Sequence, residues 1–296
     1  MSGLTVGAMT NPTPAPPYEY CPIVDRDPIS WPDGKKVAVY IGLNVEHFYF
    51  GRPSTSIWPG TTELTPDPLN HGWRDYGPRV GIWRTIECLD RHGVRPSVLL
   101  NSSVVDAHPQ IVVAGVERDW TWLAHGRSNS ELHTDLTVDE ERRALAEITD
   151  TIRSATGRSP RGWMGPGLTE THRTPELLAE LDYSYVLDWT HDDQPFPLTV
   201  PEMYSVPYSV ELNDLLLFGH GLTGPDFLQM IIDSYEQLRA DSATSGRVLP
   251  IALHPFVIGQ PFRHRYLDEA LAYLTAQPDA WLTTTDDIVD VYRAQA

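Results

Sequence analysis

Val37-Ala-Val-Tyr-Ile-Gly-Leu-Asn-Val-Glu46 is a run of apolar, largely β-branched residues that ends on two polar side chains, Asn44 and Glu46. It follows the turn Pro32-Asp33-Gly34, and its first seven residues read as a buried strand. Runs of similar character recur down the chain, at 94–100, 120–124, 162–164, 183–188, 203–206, 215–218, 248–254 and 281–284. Helical spacing lies between them. In 78–92 the residues Val80, Trp83, Ile86 and Cys88 or Leu89 share a face, and Gly93 supplies a stop. Thr137-Val-Asp-Glu140 is a capping box that opens a helix to about residue 155. Further helices are expected at 108–116, 175–181, 225–239 and 266–276. Strand and helix alternate for most of the chain, which predicts a mainly parallel sheet, open or closed.

The length of 296 residues is that of one (β/α) barrel. No linker divides the chain and no fixed-period repeat is visible. The expected organisation is a Pro-rich N-terminal arm over 1–20, carrying Pro12, Pro14, Pro16 and Pro17, and one domain over 21–296. The 27-residue segment 51–77, rich in Pro, Gly and Thr, is long enough to be a functional loop or lid.

Forty acidic against 22 basic residues give a formal charge of −18. Such a surface repels phosphate backbones and anionic membranes, so neither nucleic acid nor membrane is expected as a partner. No run of apolar residues is long enough to span a bilayer. The two cysteines, Cys21 and Cys88, form no CxxC pair and no disulfide framework. The first 20 residues have neither the basic start nor the apolar core of an export signal. The expectation is a cytoplasmic protein with a small-molecule substrate.

In a parallel barrel the chemistry collects at the carboxyl ends of the strands. The polar residues that follow the expected strands are Asn44 and Glu46, then Asn101, then His125 and Asn129, then Gly165-Pro166, Asp188-Trp189 with Asp192-Asp193, and His254-Pro255. Two imidazoles and several carboxylates, with Trp189, therefore meet on one rim. A histidine directly after an apolar strand, as in Leu253-His-Pro255, is costly to bury without a partner.

The order of these pieces resembles the polysaccharide-deacetylase (NodB-like) superfamily, and most closely its branch of metal-independent allantoinases and cyclic-imide hydrolases. The pieces are Leu43-Asn-Val-Glu46, Tyr76-Gly-Pro-Arg79 with Trp83-Arg84, Ala124-His-Gly-Arg-Ser-Asn129, Gly162-Trp-Met-Gly-Pro166, Asp188-Trp189 with Asp192-Asp-Gln-Pro195, and Leu253-His-Pro255. The resemblance implies a distorted (β/α) barrel of seven or eight strands and hydrolysis of a non-peptide carbon–nitrogen bond. The family's metal site takes one carboxylate and two histidines four residues apart. The matching positions here are Glu46, His125 and Asn129, so the second imidazole has become an amide, a poor zinc ligand. A metal-free mechanism is therefore expected, with no cofactor. Glu46 and His125 would be ligands if a divalent ion such as zinc bound.

On this reading Glu46 or His125 is the base, His254 the general acid, and Asp193 the carboxylate that orients a histidine. Asn129 and backbone amides near Gly165 would stabilise the oxyanion. Trp163 and Trp189 would form walls for a flat ring, and Arg79 and Glu211 would contact substrate. Where the family has an arginine before the proline of its fourth segment, this chain has Trp163 and Met164, which favours a compact, partly apolar pocket. The expected reaction is ring opening of a cyclic amide, imide or ureide. The alternatives are a metal-dependent amino-sugar N-deacetylase and an inactive ligand-binding barrel. The resemblance also implies a homo-oligomer. The competing structural readings are a turn for Asp192-Asp193, core packing for the tryptophans, and a salt bridge from Glu46 to Arg74 or Arg79.

Overall fold

The computed structural model describes residues 15–134 and 136–295, so most of the expected N-terminal arm lies outside the described residues. The strands are β1 (Val37–Val45), β2 (Ser97–Leu100), β3 (Thr121–Ala124), β4 (Gly162–Trp163), β5 (Tyr185–Val186), β6 (Phe196–Pro197), β7 (Tyr204–Ser205), β8 (Arg247–Leu253) and β9 (Ala280–Leu282). The helices are α1 (Pro68–Tyr76), α2 (Ile82–His92), α3 (Val104–Ala107), α4 (Pro109–Glu117), α5 (Val138–Thr156), α6 (Thr174–Ala179), α7 (Asp214–Gly219), α8 (Gly224–Asp241), α9 (Pro255–Ile258), α10 (Pro261–Thr275) and α11 (Thr285–Arg293). The strands form one sheet in the order β6-β7-β5-β4-β3-β2-β1-β8, with β9 on β1 beside the start of β8. Only β6–β7 is antiparallel. The sheet curls into a distorted half-barrel that stays open between β6 and β8.

Alternation along each strand decides what faces inward. In β1, Val37, Val39, Ile41, Leu43 and Val45 pack in the outer core under the helices. Ala38 and Tyr40 pack in a second core inside the barrel, with Leu99, Leu123, Met164, Tyr185, Leu187, Val206, Tyr208, Val248 and Ala252. Burial of both faces explains why β1 reads as an unbroken apolar run.

Two expectations change. Residues 215–218 form helix α7, not a strand. Four apolar residues cannot tell the two apart by periodicity, and Asn213 settles it by accepting the backbone N–H groups of Leu215 and Leu216 as a helix cap. The expected helix 78–92 begins with a wide turn at Gly77–Gly81 before α2. The capping box is present, Thr137 accepting from the Glu140 N–H and Glu140 accepting in return. Within 51–77, α1 is regular, and the buried Asn70 holds the preceding loop through Trp58, Thr61 and Asp67.

The segment ahead of β1 crosses the open side of the barrel. Arg26 pairs with Asp192 at 2.5 Å on the β6 flank. Ile29 accepts from the Gly246 N–H at 2.8 Å on the β8 flank. Trp31 donates to the Arg247 carbonyl. Tyr18, expected in a free arm, packs on Trp189 and Phe196. Among the described residues no helix is long and apolar enough to cross a membrane.

Candidate active site

The inward rows of the strands run out into polar residues at one level of the barrel mouth. Val45, Leu100 and Ala124 are neighbours in register, so the next residues, Glu46, Asn101 and His125, stand side by side. Ala252 faces inward on β8, so His254, two residues on, does too. Tyr208 extends the inward row of Val206.

Glu46 is the hub. Its side chain is 5% exposed, and Oε1 lies 3.5 Å from His125 Nε2 and 3.7 Å from His254 Nε2. Asn129 Nδ2 donates to the same oxygen at 2.5 Å. The amide orientation of Asn129 is fixed by its neighbour. Asn101 Oδ1 accepts the backbone N–H of His47 at 2.8 Å and of Asn129 at 3.2 Å. Asn101 Nδ2 then donates to the His125 carbonyl and to Asn129 Oδ1. A flipped Asn129 would set two NH2 groups against each other, so its N–H side must face Glu46. Burial alone would raise the Glu46 pKa, but His254, His125 and Asn129 outweigh it and hold the carboxylate below its usual range.

His125 Nδ1 lies 2.7 Å from the Met164 carbonyl, which accepts only a proton-bearing nitrogen. In the neutral ring Nε2 therefore keeps its lone pair, buried beside Glu46 without a hydrogen-bond partner. His254 is held from the opposite side. Asp214, fully buried at the start of α7, accepts from His254 Nδ1 at 2.7 Å, from its backbone N–H, and from the Ile258 N–H at 3.1 Å. Burial pulls the His254 pKa down, yet Glu46 and Asp214 leave it raised, which favours the imidazolium. Asn44 sits beneath, donating to Tyr208 Oη at 3.1 Å. Glu46 pairs with neither arginine. Arg74 donates to the Thr55 carbonyl and stacks on Phe48.

A second carboxylate pair borders the mouth. Asp188 accepts the Gly165 N–H at 2.7 Å, and its other oxygen and Glu170 Oε1 are both buried without a conventional donor. Burial and the neighbouring Asp188 push the Glu170 carboxyl up, and burial raises Asp188 as well, so the pair holds a proton between them.

Several expected site residues are elsewhere. Asp193 accepts from the Val248 N–H at the start of β8, whereas His254 follows its end. Six residues at about 3.3 Å each separate them by roughly 20 Å. The carboxylate that orients His254 is Asp214, which follows none of the expected strands. Trp163 has the wrong strand parity. It points into the outer core, fully buried, against Tyr183 and His133. Trp189 packs on Tyr18 and His191. Arg79 faces solvent beside Asp75. The Gly165 N–H is taken by Asp188 and is not free for an oxyanion. Glu211 is exposed and, with Asp193, lines a cavity of about 1370 Å³ along the open side of the barrel. Glu46, His125, Asn129 and His254 do meet at the mouth. Tyr208 and Glu170 carry no strand-end motif that would have marked them.

The donor set was tested against a metal. Glu46 and His125 are 3.5 Å apart, close to the span of two ligands on one zinc, about 3.3–3.5 Å. The third donor does not follow, because Asn129 turns its N–H to the centre. Among the described residues, the three His, Cys, Asp or Glu side chains whose ligand atoms lie within 4.8 Å of one another are Cys88, His92 and Asp268, not Glu46, His125 and His254. Among the described residues, the mouth brings no third His, Cys, Asp or Glu ligand atom within 4.8 Å of both Glu46 and His125.

The sequence pattern of polysaccharide deacetylases matches residues 74–186. A Schizosaccharomyces pombe protein classed with the polysaccharide deacetylases is 21% identical, over 92% of this chain and 94% of its own. A Pseudomonas aeruginosa structure of the same class superposes with a TM-score of 0.82 at 21% identity, covering 92% of this chain and 95% of that one. An allantoinase structure gives a TM-score of 0.76 at 23% identity, covering 89% and 92%. At these identities the two structures speak to the fold. The half-barrel, the matched segment and the order of the mouth residues make the chain similar to the polysaccharide deacetylases in fold and in the sequence of residues 74–186.

Proposed function

We propose that this protein hydrolyses a non-peptide carbon–nitrogen bond without a metal, opening the ring of a small cyclic amide, imide or ureide. The observation that carries this is the locked Asn129 amide. It places a hydrogen-bond donor where a metal-binding site needs a ligand. Water must then be activated by protein groups. Glu46 Oε1 and His125 Nε2 are two acceptors 3.5 Å apart, so one water can give a hydrogen to each, which aims its lone pair outward at the substrate carbonyl. Glu46 is held below the usual carboxylate range, which weakens it as a base. His125 Nε2 takes the proton as oxygen bonds to carbon, and Glu46 stabilises the imidazolium that results. The second amide hydrogen of Asn129 is a donor for the oxygen that gains charge. His254, charged through Glu46 and Asp214, gives its proton to the ring nitrogen as the carbon–nitrogen bond breaks.

Metal-dependent N-deacetylation is the second reading, favoured by the class of the relatives and by the Glu46–His125 spacing. Turnover of hydantoin, succinimide, dihydrouracil, allantoin and N-acetylglucosamine oligomers, with and without chelator, separates the two. Ring opening that survives chelation is expected. Acetate release that chelation abolishes would overturn the proposal, and binding without turnover of any of them would point to an inactive barrel.

A further inference from the structure

On the outer face of the barrel, away from the mouth, α2 and α10 pack together and bring a thiol, an imidazole and a carboxylate to one point. Cys88 and His92 are one turn apart on α2. Cys88 Sγ lies 3.6 Å from Asp268 Oδ1 on α10, and His92 Nε2 lies 2.8 Å from the same oxygen. All three ligand atoms are within 4.8 Å of one another. Nothing in the proposed hydrolysis uses them. One turn before Asp268 stands His264, whose Nδ1 is buried without a hydrogen-bond partner.

We propose that Cys88, His92 and Asp268 form a binding site for a borderline-soft divalent ion of the zinc type, with His264 the nearest imidazole for the fourth position. Thiolate, imidazole and carboxylate are the donors zinc takes, in a tetrahedron with ligand atoms roughly 3–4 Å apart. The present spacings need only small side-chain shifts. Without an ion, Cys88 and His92 both spend their polar atoms on Asp268 Oδ1, and the ion would replace these two contacts. Cys88 is fully buried, with its Sγ held against Asp268 Oδ1 at 3.6 Å. On binding, the ion replaces the thiol proton: one S–H bond breaks, one metal–sulfur bond forms, and one proton leaves to solvent. Arg91 also reaches Asp268 Oδ1, at 2.5 Å, but its side chain is 57% exposed and can move to solvent or to the other carboxylate oxygen. The ligands come from positions 180 residues apart, so the ion would tie α2 to α10 and stabilise the folded chain in proportion to its occupancy.

The test is titration of the full chain with Co(II), followed by thiolate-to-cobalt charge-transfer absorption and by thermal melting. Expected are one Co(II) per chain with the sulfur band, a rise in melting temperature, and retention of both in Cys21→Ala. Cys88→Ala, a small change in a packed helix, should lose both while keeping the wild-type circular dichroism. Asp268→Asn, nearly isosteric, should weaken binding at least tenfold. An ion at Glu46 and His125 has no sulfur ligand and gives no such band, so the result is independent of the mouth. Absence of the band at excess Co(II), or a band that survives in Cys88→Ala, overturns the proposal.

Discussion

Asn129 faces the Glu46 carboxylate and donates to it, and on the proposed reading it stands where a metal would. Replacing it by Ala removes that donor and a donor for the oxyanion, so kcat should fall about 10²-fold with little change in KM, as steady-state assays of ring opening will show. Asp214 acts on the proton of His254. Its charge helps raise the His254 pKa, so the imidazolium persists above the ordinary imidazole value and is lost as pH rises through the raised one. In Asp214→Asn that support is gone, and the alkaline limb of the kcat/KM profile should move to lower pH. An unmoved limb would show that His254 is not the acid. His254→Ala itself should cost about 10²–10⁴ in kcat. Glu46, His125 and His254 were legible because each follows an apolar strand run. Asp214 was not, because its tie to His254 spans 40 positions and is made by packing. Asp193 was misplaced for the complementary reason: it lies in a motif of the family order, but the chain carries it to the foot of β8.

Among the elements, the turn Gly77–Gly81 bears most directly on the mouth. It packs against α9, which starts one residue after His254. A Cβ on Gly81 would stand 1.9 Å from the Pro255 carbonyl oxygen. Gly81→Ala should therefore push α9 away, lower the melting temperature by several degrees and reduce kcat, although Gly81 touches no substrate. Scanning calorimetry and steady-state kinetics on the one variant would show both. Long elements were legible where local signals agreed, as in α5 with its capping box. Residues 215–218 failed because an apolar tetrad reads either way. The deciding signal, Asn213, was in the sequence but acts only as a cap. Strand parity, which removes Trp163 from the mouth, needs the register of β4, and β4 is two residues long.

For the molecule as a whole, the half-barrel has one unpaired side, and the chain ahead of β1 covers it. Arg26 and Asp192 are 19% and 8% exposed at the side chain, so cutting Arg26 to Ala leaves a largely buried carboxylate without its partner. A loss of about 2 kcal/mol is expected, read from the urea midpoint. A loss below about 0.5 kcal/mol would mean that the cover contributes nothing to closure. The alternating pattern made the parallel sheet legible, but not the place where it stays open, since closure depends on curvature that no local run encodes. The cover also sets an order in time. Trp31 and Arg247 are 216 positions apart. At ribosomal rates of about 5–20 residues per second, the first is made roughly 10–40 seconds before the second. Until then the inner faces of β1 to β3 have no completed wall opposite them, and Ile29 and Trp31 lack their partners at the foot of β8, although Tyr18 and Arg26 already have theirs at 189–196. The nascent chain waits with its mouth unformed, because His254 follows β8, and β9, which pairs with β1, is made later still.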